Sequence, residues 1–135
     1  MVKSIAHIGV AVKDMKTSSE LFRKLLGRAP DHSGTVPDQR VTTTMFQLGE
    51  TAIELTAATD PSSAIARFID QRGEGIHHLS LVVDDVPREL ERLKDLGFKL
   101  VDEKPRTGAD DYLVAFLHPK STNGVLIEIS QKRTT

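Results

Sequence analysis

The chain has 135 residues, of which 39% are hydrophobic and 27% charged, a balance typical of one globular domain. Its net charge of −1 favours neither nucleic acid nor an anionic membrane as a partner, and without a signal peptide or a membrane-spanning apolar run a cytoplasmic location is expected. The sequence contains no cysteine, so disulfides and thiolate nucleophiles are excluded and any metal must be held by nitrogen and oxygen.

The first predicted module covers about residues 2–58. It opens with a strand over about residues 2–12, and Asp14 then caps a helix that ends at Gly27. The remaining predicted elements are a strand or extended segment over 29–35, a turn or loop at 36–38, and a hairpin of strands 40–48 and 51–57. The predicted order is therefore β-α-β-β-β.

A connecting helix is predicted over about residues 60–74, because Asp60-Pro61 has the pattern of a cap followed by proline at the first helical position. The second module covers about residues 75–131. Its predicted elements are a strand over 76–83, a helix with a capped start at Asp84-Asp85-Val86-Pro87 and an end at Gly97, a strand over 98–103, a loop over 104–111, and a hairpin of strands 112–117 and 125–129. The order is again β-α-β-β-β.

The two modules begin with similar sequence segments, and a histidine occupies the same position in both. In the first strand Ile8, Val10 and Val12 share an apolar face, so His7 lies on the opposite face. The same alternation in the second module places His78 opposite its apolar residues and His77 among them. We therefore expect His78 to be the equivalent of His7, and His77 to have a structural role in the layer that packs on the helix.

Glutamates occupy equivalent places in the last strand of each module. Glu54 lies between Ile53 and Leu55, and Glu128 lies between two isoleucines, so both carboxylates are expected on the face away from the helices. Two imidazoles and two carboxylates suit one divalent ion, and four protein ligands leave positions open for water or substrate. His7, Glu54, His78 and Glu128 are therefore the predicted metal ligands.

These features predict an α+β fold. We expect two tandem βαβββ modules that form a curved mixed sheet around a metal-containing cleft, with the helices outside, in a single domain over residues 1–135. Open modules leave edge strands, which are usually covered or paired, so a homodimer is expected.

The paired modules and their ligand set resemble the vicinal oxygen chelate superfamily (glyoxalase/bleomycin resistance/dioxygenase), and within it the methylmalonyl-CoA epimerase family. The resemblance spans nearly the whole chain. It is carried by the phrases His7-Ile8-Gly9-Val10-Ala11-Val12, Gly73-Glu74-Gly75-Ile76-His77-His78-Leu79, Asp102-Glu103-Lys104-Pro105-Arg106 and Phe116-Leu117-His118-Pro119-Lys120-Ser121-Thr122-Asn123-Gly124-Val125-Leu126-Ile127-Glu128.

The resemblance implies an acyl-CoA substrate and a reaction that interconverts the two epimers of methylmalonyl-CoA through an enolate. The expected cofactor is one divalent ion, namely cobalt, manganese, nickel or zinc, because a nitrogen and oxygen ligand set without sulfur suits these ions. Some members of the family carry a base glutamate where this chain has Thr43, which cannot act as a base. Glu128 and Glu54 are therefore the expected catalytic groups, and the expected substrate-binding residues are Lys120, Ser121 and Thr43.

Three other functions fit parts of the pattern. A glyoxalase I-type lyase would use the same four ligands on a glutathione hemithioacetal. A ring-cleaving dioxygenase uses two histidines and one carboxylate on iron, so Glu54 as a fourth ligand counts against it. A metal-free protein that sequesters small molecules would have no need of the ligand set.

Overall fold

The structure of the protein is a computed structural model, and it is described here for residues 1–133. The chain divides into two compact units: the first is His7–His77, and the second joins Met1–Ala6 to the chain from His78 onward. The first unit contains most of the first predicted module together with the predicted connecting helix and residues 75–77, whereas residues 2–6 of that module belong to the second unit. The single domain over 1–135 stays a prediction, and its last two residues lie outside the described part of the chain.

The described residues form eight strands and three α-helices. The strands are β1 (Val2–Ala11), β2 (His32–Val36), β3 (Val41–Leu48), β4 (Thr51–Ala58), β5 (Gly75–Val83), β6 (Arg106–Thr107), β7 (Tyr112–Leu117) and β8 (Ile127–Lys132). The α-helices are α1 (Met15–Leu26), α2 (Ala64–Arg72) and α3 (Val86–Asp95). Across residues 1–133, none of the helices has the length and apolar character needed to cross a membrane.

In the first unit the strand order is β2-β3-β4-β1, with β1 parallel to β4 and the other pairs antiparallel. As predicted, Asp14 caps α1 by accepting from the Lys16 amide, and Gly27 ends it in the left-handed conformation. The helix packs on one face of this sheet, where Phe22 meets the buried side chains Phe46 and Leu55. The opposite face of β1 and β4 is left for His7 and Glu54.

The second unit repeats this arrangement in the order β5-β8-β7-β6, with β5 parallel to β8. The capped start predicted at Asp84-Asp85 is confirmed, and the cap of α3 is Asp85, which accepts from the Arg88 amide. Leu90 of the helix packs on Ala115 and Ile129 of the sheet. Each unit is therefore a sheet with a helix on one face, and the predicted α+β class with two βαβββ modules is confirmed.

The predicted start of the connecting helix at Asp60-Pro61 is wrong, because α2 begins only at Ala64. The Asp60 carboxylate accepts from the Ser62 amide at 2.8 Å and so forms a local turn instead of a helix cap. Ser63 takes the capping role, since its hydroxyl accepts from the Ile65 amide. The local turn at Asp60 thus leaves the capping of α2 to Ser63.

The predicted strand over 98–103 is also wrong. The amides of Val101 and Asp102 both donate to the Phe116 carbonyl, at 2.9 and 3.3 Å. Two consecutive residues of this segment are therefore opposite one residue of β7, and the regular hydrogen bonding of a strand pair cannot continue. The Asp102 carboxylate accepts from the Phe116 amide at 2.9 Å, in place of a main-chain acceptor. Only an isolated bridge between Leu100 and Leu117 remains, and β6 lies instead in the predicted loop over 104–111.

Two strand boundaries differ by two or three residues. The segment predicted over 29–35 becomes a strand only at His32, because Pro30 has no amide hydrogen for a sheet ladder. The last strand was predicted from Val125 but begins at Ile127. Val125 belongs to the preceding turn, since its amide donates to the Thr122 carbonyl at 3.1 Å.

Glu89 on α3 is expected to stabilise the fold in a pH-dependent manner. The residue is 3% exposed, and its carboxylate accepts from Arg92 Nε at 2.5 Å. This hydrogen bond from Arg92 holds the pKa of Glu89 below its ordinary value of 4.5. A lowered folded-state pKa means that the stabilisation is fully present above about pH 4.5 and is lost as the pH falls through the folded-state value.

We therefore expect Glu89→Gln to lower the free energy of unfolding by about 2 kcal/mol at neutral pH. The difference from the unsubstituted protein should shrink as the pH falls below 4.5 and through the lowered folded-state pKa of Glu89, because the carboxyl then becomes protonated. Urea unfolding at neutral pH and at a series of acidic pH values measures this. Glu91→Gln is the matched control, since Glu91 is exposed on the same helix, and a difference for Glu89→Gln that does not depend on pH would contradict the ion-pair explanation.

Candidate functional site

In the first unit, His7 of β1 and Glu54 of β4 form a close pair. In the parallel register Gly9 is the partner of Glu54, and His7 lies two residues before Gly9 on β1. The side chains of His7 and Glu54 therefore lie on the same face of the sheet. The His7 Nε2 and Glu54 Oε1 atoms are 3.4 Å apart, and the side chains are only 13% and 8% exposed. A ring nitrogen and a carboxylate oxygen thus meet in a largely buried place, on the face that α1 does not cover.

In the second unit, His78 of β5 and Glu128 of β8 stand in the same relation. Here Ser80, two residues beyond His78, is the partner of Glu128 in the parallel register. Both side chains are buried, with exposures of 6% and 5%. The repeat in the sequence is therefore also a repeat in three dimensions: each unit presents one histidine and one glutamate, from neighbouring parallel strands, at the same relative positions.

An aromatic ring and two hydroxyl groups accompany the second pair. Phe116 of β7 is the cross-strand partner of Glu128, and its ring meets the His78 ring edge to face, with centroids 5.9 Å apart. Ser80 and Ser130 are buried beside them, with their hydroxyl oxygens 3.3 Å apart. The sequence reasoning did not place Phe116 in the site, although the alternation along β7 would have assigned it to this face.

His77 lies away from this pair, as expected. Its ring packs edge to face on Phe68 of α2, with centroids 4.9 Å apart and an interplanar angle of 90°. The neighbouring histidines thus have different surroundings, because side chains alternate along a strand. This contact with a helix supports a structural role for His77.

Thr43 of β3 lies on the same face of the first unit as Glu54. It is 5% exposed and is the cross-strand partner of Thr56. The Thr56 hydroxyl in turn donates to Glu54 Oε1 at 3.5 Å. Thr43 is therefore placed where it could meet a molecule bound at Glu54, and its substrate-binding role stays a prediction.

The other two predicted substrate-binding residues lie in the turn between β7 and β8. Ser121 stabilises this turn, since its hydroxyl accepts from the Lys99 amide at 3.1 Å and donates to the His118 carbonyl at 3.0 Å. Lys120 is exposed. The geometry gives Ser121 a structural task in the turn, while a contact of either residue with substrate stays a prediction.

These features define a class of protein, and comparison with known proteins agrees with it. The chain belongs to the Glyoxalase/Bleomycin resistance protein/Dioxygenase superfamily, whose model matches residues 6–116. The resemblance to epimerases of this superfamily is also confirmed. An ethylmalonyl-CoA/methylmalonyl-CoA epimerase of Cereibacter sphaeroides is 34% identical over 97% of this chain and 99% of its own length.

Solved structures give the same result. The methylmalonyl-CoA epimerase of Mycobacterium tuberculosis superposes with a TM-score of 0.94 at 34% identity, over 98% of this chain and 90% of that one. A methylmalonyl-CoA epimerase solved in complex with methylmalonyl-CoA and NH4+ has a TM-score of 0.95 at 28% identity, over 99% of this chain and 97% of that one. The fold and the family are thus established by likeness over the whole length of the chain.

Proposed function

We propose that this protein is a metal-dependent epimerase that interconverts the two epimers of methylmalonyl-CoA. The observation that carries the proposal is the matched His–Glu pair in each unit, buried and facing away from the helix. The kinship with methylmalonyl-CoA epimerases supplies the substrate class, an acyl-CoA with a free carboxylate. The reaction removes the proton on the carbon between the thioester carbonyl and that carboxylate, and returns a proton from the other side.

We propose His7, Glu54, His78 and Glu128 as the ligands of one divalent ion. The chemistry of the donor types fits, because imidazole nitrogens and carboxylate oxygens without sulfur suit cobalt, manganese, nickel or zinc. When bound, such an ion acts as a Lewis acid for the malonyl oxygens, an effect worth several kcal/mol in the stabilisation of developing negative charge.

The proton is handled by Glu54 and Glu128 in this proposal. The pseudo-symmetry of the two units supports a pair of carboxylates that act from opposite sides, one to take the proton from the substrate carbon and the other to return one. A positioned general base contributes roughly 10²–10⁴ in rate. The buried surroundings of both carboxylates keep bulk water from competing for the proton.

We also propose that the protein is a homodimer. The strand β2 lies at the edge of the first unit's sheet, and four of its five residues are exposed. Exposed edge strands invite pairing or covering. Light scattering at micromolar concentration is expected to give the mass of a dimer, and a monomer mass would contradict this part of the proposal.

Proton NMR of methylmalonyl-CoA in deuterated water tests substrate, reaction and metal together. Starting from one epimer, the metal-loaded protein should replace the proton at the substrate carbon by deuterium and produce the other epimer. Protein treated with a chelator and dialysed should do neither, and addition of the divalent ion should restore both. The same preparations are then given the hemithioacetal of methylglyoxal and glutathione.

Each outcome has a separate meaning. If the substrate proton is still exchanged for deuterium after complete removal of the metal, the proposed epimerase activity holds but its metal dependence is refuted. Turnover of the hemithioacetal without exchange in methylmalonyl-CoA would replace the proposal by a glyoxalase-type function. Binding of small molecules without turnover or bound metal would favour a sequestering protein.

A further inference from the structure

Arg106 lies on the same face of the second unit as His78 and Glu128. It is the partner of Val114 across β6 and β7, and Val114 is the partner of Ser130 across β7 and β8. Cross-strand partners share a face, and Ser130 is two residues from Glu128 on its strand. The Arg106 side chain is therefore directed to the face that carries the proposed chemistry, although the residue lies in the segment over 104–111, where a loop and no strand was predicted.

Two contacts orient the guanidinium group. Its carbon lies 5.2 Å from the centroid of the Phe116 ring, and its Nε atom lies 3.3 Å from Asp102 Oδ2. Asp102 is itself fixed, because the same oxygen accepts from the Phe116 amide at 2.9 Å. The planar group is thus held over the ring whose edge meets His78.

These contacts occupy only some of the hydrogen-bond donors of the guanidinium. Asp102 is the one acidic residue within ion-pair distance of Arg106 among residues 1–133, and the contact is made by Nε. The two terminal nitrogens are therefore available to donate hydrogen bonds. The Arg106 side chain is 37% exposed, whereas the Phe116 residue beneath it is 6% exposed. A charged, oriented and accessible donor thus lies beside buried groups.

We propose that Arg106 binds the free carboxylate of the substrate and so selects half-thioesters of malonic acids over neutral acyl thioesters. This inference rests on the proposed function. A guanidinium presents its donors in a planar fork that matches the geometry of a carboxylate, and a charge-assisted hydrogen bond of this kind is about twice as strong as a neutral one. Asp102 is then a positioning residue, which holds Arg106 without touching the substrate.

The test compares two ligands that differ in the carboxylate alone. Isothermal titration measures the Kd of methylmalonyl-CoA and of propionyl-CoA with metal-loaded protein. Arg106→Met keeps the aliphatic stem that covers Phe116 but removes the charge. We expect it to raise the Kd of methylmalonyl-CoA about ten- to hundredfold and to leave that of propionyl-CoA within about twofold.

Three further variants define the origin of the effect. Arg106→Lys keeps the charge without the planar fork and should raise the Kd of methylmalonyl-CoA about five- to tenfold. This variant also tests the proposal if Arg106→Met fails to fold. Asp102→Asn should also raise the Kd of methylmalonyl-CoA, but by a smaller factor. Lys104→Met removes a charge from an exposed residue of the same loop and should change neither Kd.

Equal weakening of both ligands by Arg106→Met would mean that Arg106 serves the coenzyme A portion, and no change in either Kd would leave it a purely structural residue. Both results would overturn the inference. Failure of the proposed function is recognised separately in the unsubstituted protein. If that protein binds methylmalonyl-CoA but does not exchange its proton, the epimerase proposal fails while the two Kd values still decide the role of Arg106. If it binds neither ligand, both proposals fail.

Discussion

Replacing Glu128 or Glu54 by glutamine is expected to lower the rate of epimerisation at least roughly a hundredfold, the usual scale of a lost general base. Glutamine keeps the size of the side chain and an oxygen that can bind a metal, but it has no basicity. Each variant should therefore retain appreciable metal, as measured by elemental analysis after dialysis. The loss should appear in turnover, measured by proton NMR in deuterated water.

The two variants should also differ from each other. A base that faces only one epimer should, when removed, suppress the entry of deuterium from that epimer more than from the other. Glu89→Gln is the matched control, because Glu89 is an equally buried glutamate that lies on α3 beside Arg92. It should keep normal turnover despite its lower stability.

Near-normal turnover of Glu54→Gln would assign Glu54 to metal binding alone. The second proton donor would then have to be a different group on the same face, such as a water molecule near Thr43. Thr43 is buried and has no basic group of its own, so Thr43→Val tests this alternative. A loss of turnover in that variant, with normal turnover in Glu54→Gln, would replace the symmetric pair of bases by one carboxylate and a water molecule.

Replacing His78 by alanine is expected to abolish metal retention. The neighbouring His77→Ala should retain the ion and mainly lose stability, because its ring packs on Phe68. Two histidines adjacent in sequence thus serve as each other's controls for composition and charge. Metal content after dialysis, together with thermal unfolding of the metal-free forms, separates the two effects.

The expected cost of His77→Ala is about 1 to 2 kcal/mol, since an aromatic contact and some packing are lost at a partly exposed position. Loss of the ion in His77→Ala, with normal metal content in His78→Ala, would reverse the assignment of the two faces. It would also contradict the shared face of His78 and Phe116, whose rings meet edge to face.

The duplication and the faces of the strands were predictable from the sequence, because they follow from local rules. Alternation along β1 and β5 separated His7 and His78 from the apolar residues, and the same rule placed Glu54 and Glu128. Capping chemistry was predictable for α1 and α3, where Asp14 and Asp85 act within three residues of the amides they bind. Each of these features depends on neighbours in the chain.

The tertiary structure decided the features that depend on partners distant in sequence. The segment over 98–103 has the composition of a strand, but its hydrogen bonds run to Phe116, and Asp102 breaks the ladder there. The register that sets Gly9 against Glu54 and Ser80 against Glu128 is likewise a choice between strands far apart in the chain.

Arg106 and Phe116 belong to the same group of features. No local pattern indicates that an arginine in the two-residue strand β6 lies over a phenylalanine ring ten residues later, 5.2 Å from its centroid. The sequence by itself determined which side chains share a strand face, because the period of a strand is a property of the backbone. Only the tertiary structure decided which strands and loops lie side by side, because pairing is chosen by packing and hydrogen bonding between distant segments.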